Sequence, residues 1–262
     1  MDTRNVNIGF IGFGNMASAM ADGWIASGAV AAGNLRACAG RFEALVPRCE
    51  ARGMVALPDV AEVVAASDVV VVAVKPYMIE DVLAPVREQL AGKAILSVAA
   101  GWNCEAYERV IPGTNHLSTV PNTPVAINEG VIACEKASTL DSEQRDLVFS
   151  LLNLLGSPIE VESRLLSVAG TVGGCSPAFI AMVIEALGDA AVKHGIPRAT
   201  AYRMVSQMVA GTAKLQLATG AHPGAMKDAV CSPGGTTIRG VAELEAAGMR
   251  SAFIRAIDAI EG

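Results

Sequence analysis

The chain has 262 residues, which is long enough for two domains and a substantial hydrophobic core. Its composition is 52% hydrophobic and 18% charged, and its formal net charge is −6, without a basic stripe, so a nucleic acid is not an expected partner. The six cysteines form no CxxC pair, which favours reduced thiols in a cytoplasmic protein and argues against both a disulfide framework and a metal site.

The first segment predicts a strand, a glycine turn and a helix. The apolar run 6–11 is followed by GFGNMA at positions 12–17 and then by an apolar helical pattern that ends near residue 28. In a GxGxxA sequence the first glycine permits the tight turn, the second lets the backbone approach a pyrophosphate, and the small third residue allows the helix to pack on the strand. The helix N-terminus then faces the phosphates. The predicted cofactor contacts here are Gly12, Gly14, Asn15 and Met16.

Strands and helices continue to alternate along the first half. Strands are predicted at 35–39, 54–57, 68–74, 94–98 and 116–120, with helical stretches near 42–51, 59–66, 79–90 and 103–110. Continuous Val and Ala runs such as 69–74 are typical of strands that are buried on both faces of a parallel sheet. The pattern predicts an α/β, Rossmann-like, doubly wound sheet.

The choice of dinucleotide depends on the residues that follow the second strand. An acidic residue there suits the ribose of NAD, whereas an arginine suits the additional phosphate of NADP. The strand runs into Gly40 and Arg41, with Glu43 two residues further on. We therefore expect NADPH, with NADH as a possible substitute and Arg41 as the phosphate contact; a solvated arginine at a helix start remains the alternative.

The second half changes to helices. After a small strand near 130–134, a helix at 141–155 and a strand at 158–161, helices are predicted at 177–193, 199–218, 223–229 and 236–260, with a break at Gly248. The predicted domains are therefore 1–162, which binds NAD(P), and 163–262, an all-α dimerisation and substrate domain. The stretch 165–184 is uncharged but contains Gly, Pro, Ser and Thr, which favours a buried interface helix over a membrane span. Helices with so few charges predict a homodimer or a higher oligomer.

Hydroxyl groups and glycines are concentrated between residues 232 and 237. Ser232, Thr236 and Thr237 surround Gly234 and Gly235 just before an apolar helical pattern. Glycines and helix N-terminal amides favour an anion, and short hydroxyls add donors without adding charge. On these residues alone, a pocket for a small anionic group and a capped helix start remain open.

The whole stretch 222–244, HPGAMKDAVCSPGGTTIRGVAEL, resembles the signature region of the pyrroline-5-carboxylate reductase family. AVKP at 73–76, SVAAG at 97–101 and PNTP at 121–124 also match that family. The resemblance implies NAD(P)H-dependent reduction of the cyclic imine of 1-pyrroline-5-carboxylate to L-proline, the last step of proline biosynthesis. It also implies an intertwined dimer, which in some members stacks into larger rings.

The resemblance implies roles for individual residues. Val74, Lys75, Pro76 and Ala99 would line the path of the cofactor, and Asn122 would help to hold the nicotinamide region. Val230, Ser232, Gly235 and Thr236 would bind the small-molecule substrate through its carboxylate. Thr237, the implied catalytic residue, would hydrogen-bond the ring nitrogen.

Alternatives to this function remain. A β-hydroxyacid dehydrogenase is disfavoured because residues 177–188 contain no lysine to act as acid or base. A reductase of another cyclic imine acid and a non-catalytic NADP-binding regulator stay open. The sequence also departs from the family at Ser118, where an arginine is usual, and at Phe179, where a tyrosine is usual.

Overall fold

A computed structural model describes residues 3–262 of the chain. Its strands are β1 (Ile8–Ile11), β2 (Leu35–Cys38), β3 (Val55–Ala56), β4 (Val69–Val72), β5 (Ala94–Ser97), β6 (Asn115–Pro121), β7 (Gly130–Ser138) and β8 (Gly156–Val161). They form one sheet in the order β3-β2-β1-β4-β5-β6-β7-β8. The pairs are parallel except for β6 and β7, which are antiparallel. This order around β1 is the one expected for a doubly wound dinucleotide-binding sheet.

Helices accompany the sheet and then replace it. Those of the sheet region are α1 (Asn15–Ser27), α2 (Phe42–Glu50), α3 (Val60–Ala65), α4 (Ile79–Leu83), α5 (Cys104–Val110), α6 (Ser142–Asn153) and α7 (Leu166–Gly170). The chain ends with α8 (Ser176–Lys193), α9 (Arg198–Thr219), α10 (Pro223–Ala229), α11 (Thr236–Ala246) and α12 (Met249–Glu261). The predicted fold class, a Rossmann-like sheet followed by an all-helical region, is confirmed.

Strand β4 shows why the sequence contains an uninterrupted valine run. All four of its valines are fully buried. Val69 and Val71 belong to the core cluster that contains residues of α1, whereas Val70 and Val72 belong to the cluster that contains Tyr107 of α5. Because side chains alternate between the two faces of a strand, a sheet covered by helices on both faces requires apolar residues at every position.

The connection between β6 and β7 is fixed by one asparagine. Asn128 adopts a left-handed backbone conformation with φ 63°. Its Nδ2 donates hydrogen bonds to the backbone oxygens of Gly23 (2.8 Å) and Leu154 (2.6 Å). These bonds join the connection to α1 and to the C-terminal end of α6. Strand β7 itself extends to Ser138, four residues beyond the predicted strand.

The chain divides into two compact units between Cys175 and Ser176. The predicted boundary falls earlier, after residue 162, and stays a prediction. The segment 163–175 belongs to the first unit because α7 packs on the sheet: a Cβ added to Gly170 would lie 3.0 Å from Cγ1 of Val120 in β6. A π-helical turn over Thr171–Cys175 precedes the second unit.

The second unit exposes much of its apolar surface. Gly188 is the only buried residue described in α8, and Ala201 the only one described in α9. Met182 is 67% exposed and Leu217 is 80% exposed. The helical segment Ser163–Lys193 contains an 18-residue stretch with a mean hydropathy of 1.6, and only 6% of that stretch is buried. It is long and apolar enough to cross a membrane by length and composition only.

Candidate active site

The loop between β1 and α1 forms the start of a cleft. Gly12 has φ +89°, and a Cβ at this position would lie 2.9 Å from the backbone oxygen of Ala73, so a side chain is excluded here. Gly14 is the N-cap of α1, and among the described residues no side chain caps this helix. The first backbone amides of the helix, at Asn15 and Met16, are therefore available to an anion.

The cleft lies along the carboxyl ends of β1, β2, β4 and β5. It has a volume of about 1010 Å³ and is lined by residues of the first unit. The predicted cofactor residues that line it are Gly12, Gly14, Asn15, Met16, Arg41, Val74, Lys75, Pro76 and Ala99. The carboxyl edge of a doubly wound sheet is the ordinary position for a dinucleotide, and this cleft is large enough to hold one.

Asn122 lies outside the residues that line this cleft. Its side chain is buried, with Nδ2 donating to the backbone oxygen of Gly173 (3.0 Å) and Oδ1 accepting from the backbone N–H of Val131 (3.0 Å). Both ends of the amide are therefore used within the protein. The structure gives Asn122 a part in holding β6, β7 and the turn near Gly173, and its predicted contact with the nicotinamide region stays a prediction.

Three basic side chains, Arg41, Arg48 and Lys75, line the cleft. Within residues 3–262, none of them forms an ion pair with a carboxylate. Asp59 lines the same cleft, but its carboxylate accepts the backbone N–H of Glu62 as the N-cap of α3. The cleft therefore presents an excess of positive charge, which suits a phosphate-bearing ligand.

A buried hydrogen-bond network shapes the β5 wall of the cleft. The hydroxyl of Tyr107 donates to Oγ of Ser97 (2.7 Å), which also accepts the backbone N–H of Ala99 (3.3 Å). The hydroxyl of Thr119 donates to the backbone oxygen of Ser97 (2.7 Å). Burial raises the pKa of Tyr107, so its hydroxyl remains protonated and a donor. This network, which the sequence did not reveal, holds the turn at which Ala99 meets the cleft.

Cys38 ends β2 and lines the cleft as a neutral thiol. It is 4% exposed, and burial raises its pKa to about 11. A thiol with this pKa is protonated at neutral pH and therefore poorly nucleophilic.

The predicted substrate loop lies in the second unit, between α10 and α11. Gly235 is the N-cap of α11, its backbone N–H donates to the oxygen of Ser232 (3.0 Å), and a Cβ here would lie 2.4 Å from Oγ of Ser232. Thr236 and Thr237 are the first residues of the helix, so their amides lack intrahelical partners. A side chain at position 235 would therefore displace the hydroxyl of Ser232.

The loop residues are accessible. Val230 is 64% exposed, and Ser232, Thr236 and Thr237 are also exposed. Among the described residues, the hydroxyls of Ser232, Thr236 and Thr237 have no hydrogen-bond partner. Free hydroxyls beside free helix amides form a set of neutral donors, which suits a small carboxylate.

Neither metal ligation nor a histidine pair is visible in the part of the chain that the structure describes. No group of three or more His, Cys, Asp or Glu side chains there is arranged to hold a metal ion, and the cysteines are free. His116 is fully buried, with Nε2 2.9 Å from Oε1 of Glu108. Nδ1 of His222 accepts the backbone N–H of Gly224. Both of these histidines therefore serve local structure.

Comparisons with known proteins match both the sheet region and the helical region of the chain. The family description "Pyrroline-5-carboxylate reductase dimerisation" matches residues 163–261, and "NADP oxidoreductase coenzyme F420-dependent" matches residues 7–101. The chain is 41% identical to the pyrroline-5-carboxylate reductase of Treponema pallidum over 97% of this chain and 98% of the relative. The chain belongs to the pyrroline-5-carboxylate reductase family.

Other members of the pyrroline-5-carboxylate reductase family give the same result. The Escherichia coli enzyme is 36% identical over 95% of this chain and 94% of its own length. The crystal structure of the Plasmodium falciparum enzyme with NADP bound has a TM-score of 0.87 at 26% identity, and it covers 98% of this chain and 96% of that chain. The structure of the Coxiella burnetii enzyme has a TM-score of 0.85 at 30% identity, with the same coverage of both chains.

Membership of the reductase family accounts for the exposed apolar helices. The residues that match the dimerisation description include α8 and α9, whose apolar side chains are uncovered in the single chain. Burying such a surface against a second copy is favourable by about 25 cal/mol per Å² of apolar area. The predicted self-association is confirmed, and the chain is an oxidoreductase, as predicted.

Proposed function

We propose that the chain reduces the cyclic imine of 1-pyrroline-5-carboxylate to L-proline with NADPH. The observation that carries this proposal is the loop 230–237, where the family's signature sequence coincides with a helix N-terminus and three free hydroxyls. The reductases named above support it because they resemble this chain over nearly its whole length.

The cleft of the first unit fits a nicotinamide dinucleotide. The amides of Asn15 and Met16 would bind the pyrophosphate, and Arg41 would bind the 2′-phosphate that distinguishes NADPH from NADH. The remainder of the cofactor would lie against Val74, Lys75, Pro76 and Ala99, with Asn122 near the nicotinamide. A Cβ at Gly14 would meet no atom within 4 Å, so space remains where a pyrophosphate would approach the backbone. When bound, the nicotinamide would supply the hydride.

The second-unit loop would bind and orient the substrate. Ser232, Gly235, Thr236 and the backbone amides of the loop would hold the carboxylate, with Val230 against the ring. A carboxylate fixed by several neutral donors leaves the imine carbon in one orientation, and orientation supplies much of the acceleration of such a transfer.

Thr237 would act at the nitrogen. An imine nitrogen is basic enough to arrive protonated, so the protein needs a group that holds this proton in place and does not need a strong acid. The hydroxyl of Thr237, one residue beyond the carboxylate donors at the start of α11, can accept that hydrogen bond. Exclusion of water from the reacting atoms would complete the arrangement.

The remaining proposals concern the whole chain. We infer a dimer or a higher oligomer, two functional domains at 1–162 and 163–262, and a cytoplasmic location. The net charge of −6 argues against a nucleic-acid partner. The family match over 163–261 favours a second copy, and not a membrane, as the cover of the apolar segment Ser163–Lys193.

The test is oxidation of NADPH and NADH by the purified protein with 1-pyrroline-5-carboxylate and, in parallel, a six-membered cyclic imine acid. We expect rapid oxidation of NADPH with the five-membered ring and formation of L-proline. Reduction of the larger ring alone would assign a different substrate to the same mechanism. NADPH binding without oxidation in the presence of either substrate would make the chain a non-catalytic NADP-binding protein.

A further inference from the structure

Arg48 is a second arginine in the cofactor cleft that neither the motifs nor the family resemblance assigned. It lies on α2, seven positions after Arg41, which is the N-cap of that helix, and both side chains line the cleft. Seven residues make about two helical turns, so the two positions share one face, about 10 Å apart along the axis. Two long arginine side chains at this separation can converge on one anion.

The guanidinium of Arg48 is held in position before any ligand binds. Its Nη2 donates to Oγ of Ser18 (2.7 Å), and the hydroxyl of Ser18 donates to the backbone oxygen of Gly14 (2.8 Å). Its Cζ lies 5.1 Å from the centre of the Phe13 ring, within cation–π distance. Arg48 is thus fixed to the glycine loop, and its other N–H donors remain available because a guanidinium carries five.

The charge of Arg48 is not compensated, and a neighbouring arginine shows the contrast. Arg52 lies one turn further along and also over Phe13, but it forms two hydrogen bonds with the carboxylate of Asp22 (2.6 and 3.0 Å). Arg48 has no carboxylate partner within residues 3–262. An oriented cation without an internal counter-ion, on the wall of a cleft, is suited to a ligand's anion.

We propose that Arg48 is a specificity-determining residue that binds the 2′-phosphate of NADPH together with Arg41. This inference rests on the proposed use of a nicotinamide dinucleotide. The 2′-phosphate is favoured over the pyrophosphate because the amides at the start of α1 already suit the pyrophosphate, whereas α2 follows β2, beside the position of the adenosine ribose in this fold. The two arginines, which lie on one face of α2, both donate hydrogen bonds to this phosphate.

The test compares cofactor affinities of the full-length protein by fluorescence titration with NADPH and with NADH. Arg48→Gln removes the charge and is expected to weaken NADPH binding about tenfold while NADH binding changes less than about twofold. Arg52→Gln, in which the lost charge was paired, is the matched control, and its NADPH-to-NADH affinity ratio should equal that of the wild type. Arg48→Lys keeps the charge without the planar fork and should give an intermediate ratio.

Equal weakening of NADPH and NADH in Arg48→Gln would overturn the proposal and assign the residue to the pyrophosphate or to the fold. Unchanged affinities would make it a surface arginine. If Arg48→Gln does not fold, the ratio in Arg48→Lys decides, and a ratio equal to that of the wild type contradicts the proposal. Wild-type protein that binds NADPH through Arg48 but does not reduce 1-pyrroline-5-carboxylate would refute the proposed function and leave this inference standing.

Discussion

At the scale of single residues, the proposed chemistry depends on neutral groups. Thr237, Thr236 and Ser232 carry no charge, and within residues 3–262 their hydroxyls, which lie in an exposed loop, have no hydrogen-bond partner. A neutral donor set binds a carboxylate without the large desolvation cost that a buried ion pair incurs.

Replacing Thr237 by alanine tests its assigned role. We expect Thr237→Ala to lower kcat/KM for 1-pyrroline-5-carboxylate by about 10- to 100-fold, because a hydrogen bond to a charged group contributes about 1.5–3 kcal/mol. Steady-state kinetics measure this loss, and titration with NADPH should show unchanged affinity. Thr237→Ser, which keeps the hydroxyl, is the control and should retain most of the activity. Wild-type kinetics in the alanine variant would contradict the role.

The buried thiol of Cys38 should make the free energy of unfolding depend on pH in the alkaline range. The folded protein raises the pKa of this thiol to about 11 from an ordinary 9.0, so the unfolded chain loses its proton first as the pH rises. The stabilisation from this group is complete below pH 9 and is lost as the pH rises toward 11. We expect this contribution to be about 2–3 kcal/mol, because each pKa unit corresponds to about 1.4 kcal/mol.

The measurement is urea unfolding of wild type and Cys38→Ala at several pH values from 8 to 11. The wild type should lose more stability over that range than the variant does. Cys175→Ala, at a partly exposed cysteine, controls for the loss of any thiol and should follow the wild-type curve. Parallel curves for wild type and Cys38→Ala would show that the burial of Cys38 does not couple to pH.

At the scale of elements, the sequence predicted the strands, turns and helices that are determined by the residue types within the segment itself. The valine run of β4 and the glycine turn before α1 are visible because burial on both faces and a tight turn each require particular residue types. The predicted helix near 79–90 is in fact α4 flanked by 3₁₀ turns at Pro76–Met78 and Ala84–Leu90, where prolines stand near the start of each turn. Proline removes a backbone donor and tightens the start of such segments.

Other features depend on contacts that no local pattern reveals. The sequence predicts a buried interface helix through 165–184, whereas the structure has α7, which packs against β6, then a π-helical turn over Thr171–Cys175 and then α8. Arg48 resembles any solvated helix arginine until Ser18 and Phe13 are seen beside it. The spacing of seven residues from Arg41 was the one signal of its position. Long-range packing decided both cases.

The buried hydrogen bond between Tyr107 of α5 and Ser97 of β5 should stabilise the fold and the cofactor cleft. Tyr107→Phe removes the buried hydroxyl that donates to Ser97, and we expect the free energy of unfolding to fall by about 1 kcal/mol. Because the network shapes the turn at Ala99, NADPH and NADH affinities should weaken together. Chemical denaturation and titration measure the two effects. Tyr77→Phe, at a side chain that is 81% exposed, is the control and should change neither quantity.

At the scale of the whole molecule, the apolar helices of the second unit give the fourth prediction. Met182→Glu places a charge on an exposed apolar position of α8, within the region that matches the family's dimerisation description. We expect the dissociation constant of the oligomer to rise at least tenfold, measured by sedimentation or light scattering, because an unpaired buried charge is costly at an interface.

Ile127→Glu is the matched control for this variant. Ile127 is 70% exposed but lies in the first unit, outside the dimerisation region, so the same substitution should leave the oligomeric mass unchanged. A mass unchanged by both substitutions would show that Met182 lies away from the contact between copies. Loss of mass in both would point to a wider association surface.

The sparsely buried helices α8 and α9 have a consequence for how the protein behaves at different abundances. Where most of a helix pair is covered only by another copy, dissociation and unfolding are linked, and mass action applies to both. The melting temperature of such a protein rises with its concentration, and dilution alone lowers its stability. A cell that contains little of this protein therefore has a larger fraction of dissociated and unfolded chains, so the lifetime of each chain depends on the expression level.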